Sequence, residues 1–121
     1  MGADHAGYFY KEKIKEFLQK NDYEVLDFGT DSPESVDYPD FIHPVAQAIE
    51  EGKAEAGIII CGSGNGVAIT ANKHRHIRAA LCWNKELAML ARAHNNANVL
   101  ALPARFIALE WAIDITETFI Q

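Results

Sequence analysis

The apolar residues of this chain recur at two different spacings. Apolar residues every three or four positions indicate amphipathic helices, whereas short runs rich in β-branched residues indicate strands. The spacing predicts helices over residues 11–21, 42–49, 85–93 and 108–119, and a shorter helix that ends near residue 73. It predicts strands over residues 23–28, 57–61, 77–82 and 98–102, and a loop over residues 31–39. Strand and helix therefore alternate along most of the chain.

Strands and helices that alternate with short connections form a parallel sheet with helices on both faces. Residues 57–61 are apolar throughout, as in a strand that is buried on both faces. We therefore expect an α/β fold, a three-layer, doubly wound parallel sheet of the Rossmann-like kind. On the inward faces of the last two helices we expect Leu87, Leu90, Ala91, Ala108, Trp111, Ala112, Ile115 and Phe119.

Composition and charge narrow the function classes. The chain has 121 residues, with 17 acidic against 11 basic side chains and a formal net charge of −6, which disfavours a nucleic-acid-binding surface. No apolar run reaches the roughly 18 residues that a membrane span requires. Residues 1–5 lack the basic flank and apolar stretch of a signal peptide, so we expect a cytoplasmic protein whose Cys61 and Cys82 are free thiols.

Ligands of open α/β sheets bind beyond the carboxyl ends of the strands. We therefore expect a site formed by the loops at residues 3–7, 29–39, 61–66, 83–84 and 102–105. Gly62, Gly64 and Gly66 lie between a predicted buried strand and a helix, where free backbone N–H groups can bind anionic oxygen. The loop is not a dinucleotide fingerprint, because Val67 stands where the third glycine belongs, and it lacks the Gly-Lys-Ser/Thr of a P-loop. An ordinary tight turn remains the alternative.

Cys61 immediately precedes this glycine loop. A thiol beside a helix N-terminus has its thiolate favoured, so we expect its pKa to be lowered toward neutrality. Such a thiol suits a general base or a nucleophile, although a small buried hydrophobic residue is the plainer interpretation. Ser63 can donate a hydrogen bond to a developing oxyanion, or it can satisfy the backbone of the turn.

Other polar residues lie at predicted loop ends. Asp4 opens the first helix, where it is either a helix cap or a functional group, and Tyr38 precedes the second helix. His94 and Asn95 close the fourth helix, and Arg105 follows the last strand. We expect these residues to converge on one edge of the sheet, where they suit proton transfer on a phosphorylated substrate.

The remaining histidines carry less information. We interpret them as surface or helix-face residues; they are His43, His74 and His76. A zinc site made of Cys61, Cys82 and His94 would lack any closely spaced pair of ligands, so we do not expect one.

Several short motifs occur together in a specific order and spacing. They are residues 2–7 (GADHAG), 37–39 (DYP), 61–66 (CGSGNG), 71–73 (ANK), 77–79 (IRA) and 94–100 (HNNANVL). Together they closely resemble ribose-5-phosphate isomerase type B, in the family that includes the galactose-6-phosphate isomerase subunits. The resemblance runs over essentially all 121 residues.

The resemblance implies that the protein interconverts ribose 5-phosphate and ribulose 5-phosphate without a metal or an organic cofactor. It also implies a homodimer or a dimer of dimers in which two subunits share each active site. Cys61 would be the base that moves a proton between C2 and C1 through a cis-enediolate, since Val67 occupies the position at which other members carry a glutamate. Ser63 and the backbone N–H groups of the loop would stabilise the enediolate oxygen.

The resemblance assigns roles to the other candidates as well. Asp4 and His94 match positions that help to open the furanose ring, and His5 and Arg105 match phosphate contacts. Tyr38 and Asn95 match positions that line the sugar. The loop residues that match substrate-binding positions are Gly62, Gly64, Asn65 and Gly66.

Three features depart from the family pattern. Met1 stands where an apolar first strand would end, Pro103 stands where the family often has a glycine turn, and the chain stops at Gln121 where the family continues with a basic tail. We therefore expect residues 1–121 to form one domain that lacks the first strand and the tail. Two alternatives stay open: isomerisation of a six-carbon phosphate such as allose or galactose 6-phosphate, and a sugar-phosphate-binding module without catalysis.

Overall fold

The computed structural model describes residues 1–34 and 37–121, so the predicted loop over residues 31–39 lies partly outside the described residues. The helices are α1 (Tyr8–Lys20), α2 (Pro39–Glu50), α3 (Asn65–Ala71), α4 (Lys85–Asn95) and α5 (Leu109–Ile120). The strands are β1 (Gly2–Ala3), β2 (Gly57–Cys61), β3 (Ala79–Leu81) and β4 (Val99–Pro103). No helix in the described part of the chain is both long enough and apolar enough to cross a membrane.

The four strands form one parallel sheet in the order β1-β2-β4-β3. The central pair, β2 and β4, is in register from Gly57 opposite Val99 to Cys61 opposite Pro103, and every residue of both strands is buried. Since adjacent side chains of a strand point to opposite faces, this pair supplies core to both faces of the sheet. The predicted α/β class, with helices on both faces of a parallel sheet, is confirmed.

The alternation of side chains along β2 divides the core in two. Ile58 and Ile60 pack with α1, α4 and α5, whereas Ile59 and Cys61 pack with α2 and α3. Cys61 is therefore fixed at the end of a fully buried strand, on the face that α3 covers. That position places its sulfur at the start of the glycine loop.

The predicted strand over residues 23–28 is wrong, because the structure assigns no strand there. The chain instead runs alongside β1: the N–H of Phe28 donates to the Met1 carbonyl at 2.9 Å, and the N–H of Thr30 donates to the Ala3 carbonyl at 3.0 Å. With only two residues in β1, the ladder between the two segments is too short to form a regular strand.

Three predicted inward positions are also wrong, and one of them is Ala108, which is exposed and lies just before α5. Leu90 is 47% exposed and Trp111 is 57% exposed. Small residues such as Ala88 and Ala112 occupy the innermost positions of α4 and α5, so these helices lie close to the sheet. Ile115 and Phe119 of α5 do reach the core, as predicted, whereas Leu90 and Trp111 remain exposed. The element bounds of the other helices and strands agree with the predicted spans to within a few residues.

Candidate active site

The carboxyl ends of β1, β2 and β4 lie side by side, and backbone hydrogen bonds join the loops that follow them. The N–H of Asp4 donates to the carbonyl of Ile60 at 3.2 Å. The N–H of Arg105 donates to the carbonyl of Gly62 at 3.0 Å. Three chain segments that are distant in sequence thus meet as one rigid edge, as the sequence predicted for residues 3–7, 61–66 and 102–105.

Cys61 is the thiol at this edge. The residue is only 6% exposed, and the backbone N–H of Gly64 donates a hydrogen bond to its Sγ at 3.1 Å. Gly64 is also the residue before α3, so the sulfur lies at the amino end of this short helix.

Glycine is required at position 64 for two reasons. Its φ is +78°, in the left-handed region, and a Cβ there would lie within van der Waals overlap of the Leu81 side chain. Ser63 is exposed, and its Oγ accepts the N–H of Asn65 at 3.2 Å. Ser63 therefore satisfies the backbone of the turn, and its hydroxyl keeps its own hydrogen to donate.

Two side chains lie against the loop glycines. Arg105 crosses Gly62 so closely that a Cβ there would be 3.1 Å from the arginine Cδ and 3.3 Å from its Nε. The ring of Tyr38 lies against Gly66, with its Cζ 2.9 Å from the place where a Cβ would stand. Glycines at 62 and 66 therefore allow a cation and a phenol to reach the loop. Pro103 is the last residue of β4 rather than part of a turn, so it does not displace Arg105 from this edge.

Asp4 and His5 follow β1 directly. Asp4 is not the cap of α1, because the residue before that helix is Gly7 and no side chain caps it. The Oδ1 of Asp4 accepts the N–H of Gly7 at 3.0 Å, which closes a short turn and fixes the carboxylate at the edge. The Nδ1 of His5 is buried and has no hydrogen-bond partner in the described part of the chain. An unpartnered buried nitrogen is unfavourable unless a ligand completes it.

The expectation that all candidates converge on one edge is wrong for His94 and Asn95 within a single chain. α4 begins after Asn84, on the same side of the sheet as Cys61, and runs back toward the opposite edge. Eleven helical residues span about 16 Å. His94 and Asn95 are exposed at the far end, where Asn96 in the left-handed conformation (φ +48°) ends the helix.

The remaining thiol and histidines lie outside this edge. Burial raises the pKa of the Cys82 thiol to about 11, so Cys82 is an unreactive core residue. His43 and His74 are not independent surface residues: their rings are joined at 2.7 Å between Nδ1 and Nε2, and His74 also contacts Glu50 at 3.0 Å. His76 is exposed, as expected. Among residues 1–34 and 37–121, no three histidine, cysteine or acidic side chains are grouped as metal ligands.

A buried ion-pair network behind β1 was missed by the sequence analysis. Lys11 is fully buried, and its Nζ lies 2.6 Å from Asp27 Oδ2 and 2.7 Å from a carboxylate oxygen of Glu12. Asp27 also accepts hydrogen bonds from Lys15 at 2.8 Å and from the N–H of Gly29 at 2.9 Å. Burial alone raises the pKa of Asp27, but these hydrogen bonds outweigh it and lower the pKa to about 2.

The signal for this network was present in the sequence. Lys11 lies three residues before Ile14 and seven before Leu18, so it shares the buried face of α1. A lysine on an apolar helix face requires an anion, and Asp27 is one of the two acidic residues in the neighbouring run of residues 23–28. The network supports the segment that pairs with β1, and β1 leads directly to Asp4.

Comparison with known proteins agrees with this geometry. The Ribose/Galactose Isomerase family matches the chain over residues 1–121. The chain is 42% identical over 119 residues to ribose-5-phosphate isomerase B of Escherichia coli (strain K12). The aligned residues cover 98% of this chain and 80% of that protein. Its structure matches Clostridium thermocellum ribose-5-phosphate isomerase B with a TM-score of 0.98 and 51% identity, over 99% of this chain and 81% of the other. It also matches Mycoplasma genitalium ribose-5-phosphate isomerase B with bound ribulose-5-phosphate, with a TM-score of 0.94 and 39% identity, over 98% of this chain and 80% of the other. The chain belongs to the ribose/galactose isomerase family.

Proposed function

We propose that this protein is a ribose-5-phosphate isomerase in which Cys61 is the catalytic base. The observation that carries the proposal is the Cys61 sulfur, held by the N–H of Gly64 at 3.1 Å at the edge where three strands end. Val67, the position that holds a glutamate base in some relatives of this type, is a fully buried apolar residue here. Cys61 is therefore the group at this edge best suited to accept a proton from carbon.

The reaction needs one proton to move between two adjacent carbons. The Cys61 thiolate takes the proton from C2 of the open-chain aldose, and the electron pair of that C–H bond forms the C1=C2 double bond of an enediolate. The negative charge then rests on O1, where Ser63 Oγ–H and the N–H groups of the glycine loop donate hydrogen bonds. The thiol returns its proton to C1, and O2 becomes the ketone oxygen as its proton passes to O1.

Arg105 and His5 are the groups that we assign to the phosphate. None of the ion pairs within residues 1–34 and 37–121 involves Arg105, so its charge is available where it crosses Gly62. The buried Nδ1 of His5 gains the hydrogen-bond partner that it lacks in the chain alone. These two groups hold an anion locally although the chain as a whole carries a net charge of −6.

We further propose that two copies of the chain complete each site. Asp4 and Cys61 lie at one edge of the sheet and His94 at the other, so His94 can reach only the Cys61 of a second copy. A two-fold dimer that brings unlike edges together forms two such sites at once. His94 then assists ring opening together with Asp4, and Asn95 lines the sugar.

Turnover of a series of sugar phosphates tests the proposed activity. The purified protein is assayed with ribose 5-phosphate, allose 6-phosphate and galactose 6-phosphate, and kcat/KM is compared. We expect ribose 5-phosphate to give the highest value. A higher value for a six-carbon phosphate would replace the proposed substrate, and tight calorimetric binding without turnover of any of the three would instead identify a binding module.

Mixed dimers test the sharing of the site. Cys61→Ala and His94→Ala chains are co-expressed under two different affinity tags, and the mixed dimer is purified through both. We expect each single variant to be nearly inactive and the mixed dimer to regain about half of the wild-type turnover, since one of its two sites is intact. A mixed dimer as inactive as its parents would show that His94 does not act across the interface.

A further inference from the structure

The end of α4 that carries His94 is tied to the segment that precedes β3. The Nε of Arg78 donates a hydrogen bond to the carbonyl oxygen of Asn95 at 2.6 Å. The backbone N–H of Arg78 donates to Asn98 Oδ1 at 2.8 Å, and the N–H of Asn98 donates back to the Arg78 carbonyl at 3.0 Å. Arg78 therefore contacts both sides of the turn that joins α4 to β4.

Chemistry explains why an arginine suits this position. The carbonyl of Asn95 is one of the last carbonyls of α4, which have no partner within the helix. A cation at the carboxyl end of a helix also interacts favourably with the helix dipole. The guanidinium of Arg78 thus satisfies an acceptor and complements a partial charge at the same point.

Packing alone does not hold this end of the helix. A cavity of about 300 Å³ lies beside it and is lined by Arg78 and Asn95, together with Asn72 from the end of α3. His94 and Asn95 are themselves exposed. Within the turn, the N–H of Ala97 donates to the Ala91 carbonyl at 2.9 Å and Arg92 donates to the Ala97 carbonyl at 2.6 Å. The Arg78 side chain adds the bond that ties the Asn95 carbonyl itself to another segment of the chain.

We propose that Arg78 is a positioning residue of the isomerase: by fixing the Asn95 carbonyl, it orients His94 for the active site of a second copy. This inference rests on the proposed function, in which His94 acts across the dimer. Arg78 does not touch the substrate in this account. It acts through the terminal turn of α4, and on the sugar of the partner's site rather than on the sugar beside its own Cys61.

The backbone bonds of Arg78 persist whatever its side chain is, so a substitution releases the helix end without unpairing β3 from β4. We expect Arg78→Gln to lower kcat about tenfold, because a small misplacement of a catalytic group has a large effect on rate. We expect KM to change less than about twofold, because the phosphate contacts stay in place. The matched control is Arg75→Gln, an exposed arginine in the turn after α3, which should leave both constants unchanged.

A mixed dimer separates positioning from a general effect on folding. Arg78→Gln chains are combined with Cys61→Ala chains under two affinity tags, as for His94. If Arg78 acts across the interface, one site of the mixed dimer has an intact Cys61 and an intact Arg78, and turnover returns to about half of wild type. If Arg78 acts only within its own chain, turnover stays near one-twentieth of wild type, and the inference is overturned.

The His94 mixed dimer separates a failure of the shared active site from a failure of the positioning role of Arg78. Recovery with His94→Ala but not with Arg78→Gln overturns the role of Arg78 and leaves the proposed function standing. Failure of both overturns the shared site and the inference with it. If the Arg78→Gln chain does not fold, judged by circular dichroism, Arg78→Lys takes its place, since it keeps the charge but loses the Nε donor; the same two outcomes then decide.

Discussion

The glycine loop shows how single residues fix the site. Three glycines in five positions predicted an anion-binding turn, but the structure gives them different tasks. Gly62 and Gly66 leave room for Arg105 and Tyr38, whereas Gly64 adopts a conformation that other residues rarely take and donates its N–H to Cys61. The three glycines are therefore required by close approaches and by backbone conformation, and not for flexibility.

Gly64 and Gly52 form a matched pair that tests the close approach of the Leu81 side chain to Gly64. Their φ angles are nearly equal, at +78° and +76°. A Cβ at Gly64 would overlap the Leu81 side chain, whereas a Cβ at Gly52 meets nothing within 4 Å. We expect Gly52→Ala to lower the free energy of unfolding by about 1 kcal/mol, the penalty of the left-handed conformation alone. Gly64→Ala should lower it by about 2–4 kcal/mol, because overpacking adds to that penalty. Urea denaturation of both variants measures the difference, and equal losses would contradict the close approach to Leu81.

At the scale of elements, α1 and the segment beside β1 are held together by charge as well as by apolar packing. Lys11 and Lys15 of α1 both contact Asp27, which in turn fixes the N–H of Gly29. Removing one member of a buried pair leaves the other charge without compensation, which is strongly destabilising. The network makes the position of β1, and hence of Asp4, sensitive to the protonation of one carboxylate.

The pH dependence of stability follows from Asp27. Its pKa in the folded protein is about 2, below its ordinary value of 3.8, so its contribution is complete above about pH 5 and is lost as the pH falls toward 2. We expect the urea midpoint of the wild type to fall over this range, and the fall to be smaller in Asp27→Asn, which is already less stable at pH 7. Asp114→Asn is the control, because Asp114 is half exposed and 3.9 Å from Lys85. The same decline in the wild type and in Asp27→Asn would contradict the assignment.

The sequence predicted the elements whose pattern is set by burial alone. β2 and the glycine loop were located correctly because an uninterrupted apolar run followed by glycines has few alternatives. Lys11 was missed because a lysine counts as polar in any periodicity, although its long stem can lie in a core when an anion meets its end. The placement of His94 required the direction of α4 relative to the sheet, which the motif itself does not contain.

At the scale of the whole molecule, the candidate site is divided between opposite edges of the sheet. Cys61, Asp4 and Arg105 lie at one edge, and His94 and Asn95 lie at the other. If both groups belong to the site, as we propose, the two halves cannot meet within one chain, and we expect activity to depend on association. The net charge of −6 makes the few local cations at each site the more important for an anionic substrate.

Dilution tests this dependence on association. We expect the turnover per chain to fall as the protein is diluted below the dissociation constant of the dimer, while the substrate concentration stays saturating. Analytical ultracentrifugation over the same range should show the change in mass at the same concentration. Turnover that stays constant where the protein is monomeric would contradict a shared site.

The central claim is that Cys61 moves the proton, and a pair of cysteine variants tests it most directly. Cys61→Ala removes the base, and Cys82→Ala removes a buried thiol whose pKa of about 11 keeps it protonated. We expect Cys61→Ala to lower kcat on ribose 5-phosphate by about 10²–10⁴-fold, while calorimetry shows that the sugar phosphate still binds. We expect Cys82→Ala to turn over like the wild type. Wild-type turnover by the folded Cys61→Ala protein would contradict the account.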